Sequence, residues 1–276
     1  MPLRIDAHNH FWKYSAQQYP WMGADWPIRK DCLPDDLAPL LDSVGLDGSI
    51  AVQVNPDPTE NAFMLGLADQ HPRVLGVVGW VDLCKTDVDR DLAAFAKHPK
   101  AVGIRHTVQL ESDDHFMLRP DFQRGINLLG KHDLVYDFLI LEKQLPATVA
   151  LVEKFPNLSY VINHLAKPLI KTRQLSPWRE HLRQLAKNPN VACKLSGLMT
   201  ESVWHGWKAD EFKPYLDVVF EAFGPDRCLF GSDWPVALLA GTYEQGYELI
   251  SNYVPKLHHD AVFGGNAQKI YGIKPH

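Results

Sequence analysis

Eight short apolar runs, rich in β-branched residues, recur along the chain with amphipathic segments between them. They are LRIDAHNHF from Leu3, GSIAVQV from Gly48, RVLGVVGWVDL from Arg73, AVGIRHTVQ from Ala101, LVYDFLIL from Leu134, LSYVINHL from Leu158, VACKLSGL from Val191 and CLFGSDWP from Cys228. Their onsets lie roughly 25 to 45 residues apart, the spacing of strand–helix–strand units. Parallel strands need such crossovers, because the chain must return to the end it started from. Eight units in 276 residues favour one closed (β/α)8 barrel over an open doubly wound sheet. No GxGxxG or P-loop supports the open alternative. No linker or low-complexity tract divides the chain, so a single domain spanning 1–276 is expected.

The segments between the runs carry helical patterning. In SPWREHLRQLAKNP, Trp178, Leu182 and Leu185 fall at i, i+4 and i+7, one face that packs onto a sheet. Ser176 followed by Pro177 reads as its start, with the hydroxyl capping an orphan amide and proline at the first helical position. HPRV, HPKAV, FPNLSYV and NPNV share one ending, in which proline halts a helix just before the next strand. The longest segment with no obvious strand, Phe11 to Asp47, holds Trp12, Tyr14, Tyr19, Trp21 and Trp26. A loop following the first strand lies at the C-terminal mouth of a barrel, where it walls or covers a site.

Composition excludes several function classes. With 46% hydrophobic and 22% charged residues the chain holds enough apolar material for a sizeable core,. A formal charge of −5 and the absence of any Lys/Arg run leave no footprint for nucleic acid or an anionic membrane,. The start has no basic and then apolar leader, and no run approaches the roughly 20 apolar residues needed to span a bilayer. A soluble, cytoplasmic protein is expected. Cys32, Cys84, Cys193 and Cys228 are scattered without CxxC spacing, the pattern of reduced cysteines rather than a disulfide framework or zinc cluster. Oligomeric state is not legible, and a homo-oligomer stays open.

Four residues are candidates for chemistry. His8 and His10 stand two apart at the end of the first run, with Asp6 in phase before them, so they project from one face of a strand. Paired imidazoles there bind a divalent metal or polarise a carbonyl. His164 closes the sixth run and Asp233 the eighth, and on a barrel all four converge at the C-terminal mouth. A carboxylate ending a buried strand needs a partner or a function. Three histidines and one aspartate suit a mononuclear Zn²⁺ by ligand type and number.

The segments IDAHNHFW, GWVDL, GIRH, YDFL, NHLAKP, CKLSGL and FGSDWPV, with the closing GGNAQKIYGI, resemble the amidohydrolase-related sugar-lactonase family of L-fuconolactonases and L-rhamnonolactonases. More distantly they resemble lactonases of 2-pyrone-4,6-dicarboxylate. The resemblance runs from about Arg4 to about Ile273 and implies a distorted amidohydrolase-like barrel opening aldonolactones. It gives His8 and His10 the paired-histidine role, His164 that of the later-strand histidine and Asp233 that of general base. Many superfamily members bridge two metals through a lysine or glutamate; Arg105 and Asp137 at the fourth and fifth strands argue against that here. Since the lactonases of this pattern do not depend uniformly on metal, the expectation is one optional, weakly held Zn²⁺ or none.

Other mouth residues follow from the strand ends. Arg105 presents several fixed donors for an oxyanion or hydroxyl. Asp137 offers acceptors to sugar hydroxyls. Lys194 and Ser196 share a face of the seventh strand, and Lys167 follows His164. Trp80, Trp26 and Trp234 offer faces for a sugar ring or for packing. His106 points away from Arg105 on a regular strand and is read as structural.

Lactone opening needs an activated water, a stabilised oxyanion and a proton for the leaving alkoxide, and this set contains groups for each. Two other readings fit the same residues: a metal-dependent non-oxidative decarboxylase of the same superfamily, and a sugar- or metal-binding barrel without turnover. Carbon dioxide release would mark the first. An Asp233→Asn variant with nothing to lose would mark the second.

Overall fold

The computed structural model describes residues 2–274. Eight parallel strands form one sheet in chain order: β1 (Ile5–Asn9), β2 (Gly48–Val52), β3 (Val74–Gly79), β4 (Ala101–His106), β5 (Val135–Phe138), β6 (Tyr160–Ile162), β7 (Val191–Leu195) and β8 (Cys228–Phe230). Each coincides with one of the eight apolar runs. The ladder is continuous from β1 to β8. The first strand then meets the segment just after the last through a parallel bridge, Asn9 to Trp234, which completes a distorted (β/α)8 barrel.

Helices fill the gaps: α1 (Pro34–Val44), α2 (Pro58–Gln70), α3 (Val88–Ala96), α4 (Pro120–Leu128), α5 (Leu145–Lys154), α6 (Trp178–Leu185), α7 (Lys213–Phe223) and α8 (Tyr243–Tyr253), with α9 (Asn266–Tyr271) at the end. The expected face of α6 is the buried one, Trp178, Leu182 and Leu185. Its start differs from expectation. The helix begins at Trp178 with Pro177 before it, the Ser176–Pro177 peptide is cis, and no side chain caps the first turn. The proline endings hold: α2, α3, α5 and α6 each stop before the proline, and β3, β4, β6 and β7 begin two to four residues after it.

Strand pleating divides the core in two. Val135, Val161, Ala192 and Leu229 point into the barrel with Ile50 and Val52, whereas Tyr136, Tyr160, Cys193 and Phe230 point out against the helices. The interior cluster is closed by Ala267, Tyr271 and Ile273 from the chain's end. Because Leu3, just before β1, donates to Gln268 of α9 at 2.9 Å, this plug sits at the N-terminal end of the barrel and the opposite end stays open. The four cysteines form no disulfide; Cys32, Cys193 and Cys228 are buried. Among the described residues no helix is long and apolar enough to cross a membrane.

The aromatic segment after β1 is a loop as far as Leu33, where α1 begins. An antiparallel bridge between Trp12 and Cys32 ties its ends together, and the indole of Trp12 donates to the Lys30 carbonyl at 2.8 Å.

Candidate active site

The seam between β1 and β8 sets the geometry. Asp233 N donates to the His8 carbonyl at 2.8 Å and His10 N to the Trp234 carbonyl at 2.7 Å. Asp6 reinforces the seam: Oδ1 accepts from His8 N at 3.1 Å and Ser232 N at 2.8 Å, and Oδ2 from the Tyr243 hydroxyl at 3.1 Å. Burial pushes the Asp6 carboxyl up to about 6. A register shift in β1 between Asp6 and Asn9 turns the strand end so that both histidines face Asp233.

Three imidazoles surround one carboxylate oxygen. The Nε2 atoms of His10, His8 and His164 lie 3.3, 3.7 and 3.7 Å from Asp233 Oδ1, and all four residues are buried. His164 opens a turn in which it, Leu165, Ala166 and Lys167 all have positive φ, 48° to 58°. Left-handed conformation is costly for residues with a Cβ, and the Trp178 indole pins the turn by donating to the Leu165 carbonyl at 2.7 Å. Two glycines make room. A Cβ on Gly197, whose φ is +65°, would stand 2.5 Å from His164 Nδ1, and one on Gly231 would stand 2.6 Å from His8 Cβ.

Burial holds all three imidazoles below their ordinary range, His164 to about 3, with Lys194 adding to the effect at His8. At Asp233 burial pushes the carboxyl up, but His164, His10 and Lys167 outweigh it and hold it below its usual value. At neutral pH the site therefore presents neutral imidazoles around an ionised carboxylate. His8, His10 and Asp233 each offer one ligand atom, all within 4.8 Å of one another. Zinc bonds of about 2.0–2.1 Å in a tetrahedron place neighbouring donors about 3.3 Å apart, so residue types and spacing fit one metal ion.

Above the carboxylate opens a cavity of about 350 Å³, walled by Trp21, Thr107, Gln109, Leu139 and Val236 among others, with His10, Arg105, His164, Lys167 and Asp233 at its base and side. Arg105 Nη1 is 3.4 Å from His8 Nε2 and 3.3 Å from Asn163 Oδ1, and Nη2 donates to the Gln53 carbonyl. Its Nε is buried without a partner. Lys167 Nζ is 3.4 Å from Glu201 Oε1. Ser196 Oγ is 2.9 Å from His164 Nδ1, behind the ring rather than in the cavity.

Several expected substrate contacts lie elsewhere. Asp137 and Lys194 are fully buried beneath His8, paired at 2.6 Å, so a sugar hydroxyl does not reach them. Trp80 borders a separate groove between α2 and α3 with Pro58, Leu65 and Phe95. Trp26 stands behind Trp21 and against Trp204, with ring centroids 6.2 and 5.5 Å apart; the aromatic at the mouth is Trp21. Trp234 packs on Phe11. His106 pairs with Glu111 at 2.7 Å and stacks on Phe116, outside the barrel. Thr107 and Gln109 were missed, although their position just past β4 is the signal that singled out Arg105.

A family model described as amidohydrolase matches residues 5–273. The chain is 40% identical to an L-fucono-1,5-lactonase of Burkholderia multivorans over 98% of its length and 96% of that protein's. It is 37% identical to an L-fucono-1,5-lactonase of Burkholderia ambifaria over 99% and 97%. The crystal structure of an amidohydrolase from Burkholderia multivorans with bound zinc superposes with a TM-score of 0.94 at 40% identity, covering 99% of this chain and all of that one. From the first barrel strand to the plug at its end, the chain belongs to the amidohydrolase family.

Proposed function

We propose that this protein hydrolyses a sugar-acid lactone, an L-fucono-1,5-lactone or a close stereochemical relative. The observation that carries the reading is the ionised, buried carboxylate of Asp233 ringed by three imidazole nitrogens at 3.3–3.7 Å. It lies at the base of a cavity within the range of about 300–1,000 Å³ usual for small-molecule sites. Near-full-length likeness to two L-fucono-1,5-lactonases supports the substrate class.

In this mechanism Asp233 takes a proton from water as the oxygen attacks the lactone carbonyl. The oxyanion that forms is met by the Arg105 guanidinium, with His8 and His164 beside it. As the ring C–O bond breaks, the leaving alkoxide takes the proton back from Asp233, giving the open hydroxy acid. Because the neighbouring imidazoles and Lys167 keep Asp233 charged, it is a modest base, and the intrinsic reactivity of a lactone suits it to this task. Lys167, Gln109 and Thr107 line the cavity and are assigned the sugar hydroxyls, with Trp21 against the apolar face. A zinc ion on His8, His10, His164 and Asp233 would add Lewis-acid polarisation and acidify the water.

The test is a pH-indicator assay over L-fucono-, L-rhamnono-, L-galactono- and D-altronolactones, with and without chelator. One acid equivalent per lactone is expected. No acid from any of them refutes the reading, and carbon dioxide release from aromatic acids would transfer it to a decarboxylase.

A further inference from the structure

The turn after β6 brings a second residue to the cavity beside His164. In a tight turn of three residues, positions i and i+3 lie on one side, and Lys167 N donates to the His164 carbonyl at 2.7 Å. The left-handed run from His164 to Lys167 thus puts both side chains on the cavity wall. Strain of this kind clusters at ligand clamps, where the surroundings over-determine it.

Lys167 does not face the cavity alone. From the turn after β7 (Met199–Glu201), Glu201 brings Oε1 to 3.4 Å from Lys167 Nζ, with the lysine and glutamate side chains 23% and 26% exposed. Burial, reinforced by Asp233 and Glu142, raises the Glu201 carboxyl above its ordinary range in spite of Lys167. The ammonium therefore stands among acids. An ion pair at this distance offsets its charge without using up its three N–H donors. Neutral hydroxyls can still be met, but a further carboxylate finds no unclaimed counter-ion there.

The charges around the cavity balance. Among the described residues that line it, Arg105 and Lys167 are cations and Asp233 is an anion, and Glu201 behind Lys167 makes two of each. Arg105 is 2% exposed and lies at the base, on the Gln53 carbonyl and Asn163 Oδ1, where the proposed reaction places the lactone carbonyl. Lys167 is then the cation that a substituent elsewhere on the lactone meets. A cavity of about 350 Å³ is roughly 9 Å across as a sphere, within the Debye length of about 10 Å at 0.1 M salt. Every ligand charge inside it feels both Lys167 and Glu201.

Given the lactonase chemistry proposed above, on which this inference rests, we propose that Glu201 is a specificity-determining residue. By neutralising Lys167 at the side of the cavity, it selects uncharged lactones and rejects those that carry a free carboxylate. A carboxylate drawn to Lys167 has to displace Glu201, and a mostly buried carboxylate left without its partner is costly. Glutamine at this position keeps the length and an acceptor but removes the competing charge.

The test compares L-galactonolactone with the galactarolactone of matching configuration, in which the terminal hydroxymethyl is a carboxylate. In the unaltered enzyme kcat/KM is expected to favour the uncharged lactone. Glu201→Gln removes one unit charge near the ligand and is expected to move that ratio about threefold to twentyfold toward the charged lactone. Lys167→Met is expected to move it the other way, and about 0.5 M salt shrinks both shifts. General damage lowers both rates together, so the ratio alone bears on the proposal. A ratio changed by less than about twofold in Glu201→Gln, or moved in the same direction by both variants, overturns it. If the unaltered chain opens neither lactone, the lactonase reading fails by itself. The affinities of galactitol and L-galactonate, which differ by one carboxylate, then decide the role of Glu201 without turnover: Glu201→Gln is expected to shift their ratio toward galactonate, and an unchanged ratio refutes it.

Discussion

Replacing Gly197 with alanine asks whether the place of the His164 ring matters to turnover. The substitution acts twice. A left-handed backbone at φ +65° costs a residue with a Cβ about 1–2 kcal/mol. The added carbon would also stand 2.5 Å from His164 Nδ1 and 2.7 Å from its Cγ, so the ring must shift. That shift removes the 2.9 Å contact with Ser196, a loss of about 1 kcal/mol. Together these predict a destabilisation of about 2–3 kcal/mol, or about 5–10 °C in Tm for a domain of this size. Displacing a catalytic group by about 1 Å costs about 10²-fold in rate, and kcat on the best lactone is expected to fall by that order.

Gly45→Ala is the control. Gly45 has φ +69°, and a Cβ added there would meet nothing within 4 Å, so it shares the backbone cost without the clash. Denaturant melts and initial rates on both variants separate the two effects. If Gly197→Ala loses stability but keeps the parental kcat, as Gly45→Ala is expected to, the position of His164 is not needed for turnover and its place in the mechanism falls.

Asp233→Asn keeps the shape of the site and removes the base; kcat is expected to fall about 10²- to 10⁴-fold with the product's affinity by calorimetry retained, and parental turnover would exclude Asp233 as the base. The buried His164 gives an acid limb to stability. Its pKa is depressed from 6.5 to about 3 by burial, so its contribution is fully present above about 6.5 and is lost as pH falls toward 3, at up to about 1.4 kcal/mol per unit. His164→Gln is expected to flatten the fall in urea midpoint over that window, and an unaltered slope would show that other groups carry it.

The fold was legible because the barrel writes itself as a repeat. Each of the eight apolar runs became a strand, since a strand covered on both faces must be apolar almost throughout. The convergence of His8, His10, His164 and Asp233 was legible for a related reason, as polar side chains at the ends of such runs. Strand-end logic located Arg105 equally well, at the edge of the cavity. It failed for Asp137 and Lys194, which share the inward face of their strands but are fully buried and spent on each other at 2.6 Å; phase gives the face of a strand and not the exposure of the side chain. Trp80 and Trp26 failed differently. Loop paths decide which indole reaches the mouth, and the chain's local pattern does not encode the contacts that place Trp21 ahead of Trp26.

Closing the barrel and building the site are one structural event. The sheet's ladder ends at β8, and what joins it to β1 is the Asn9–Trp234 bridge with hydrogen bonds from Asp233 N to His8 O and from His10 N to Trp234 O. Each of those bonds belongs to a residue of the His8–His10–His164–Asp233 cluster or its direct neighbour. The Asp6 carboxylate holds one amide on each side of the same line, His8 N and Ser232 N. A barrel whose seam opened by the length of one hydrogen bond would separate Asp233 from both first-strand histidines at once. Stability of the seam and alignment of Asp233 with the imidazoles are therefore expected to be coupled, so that substitutions along β1 and β8 change both together.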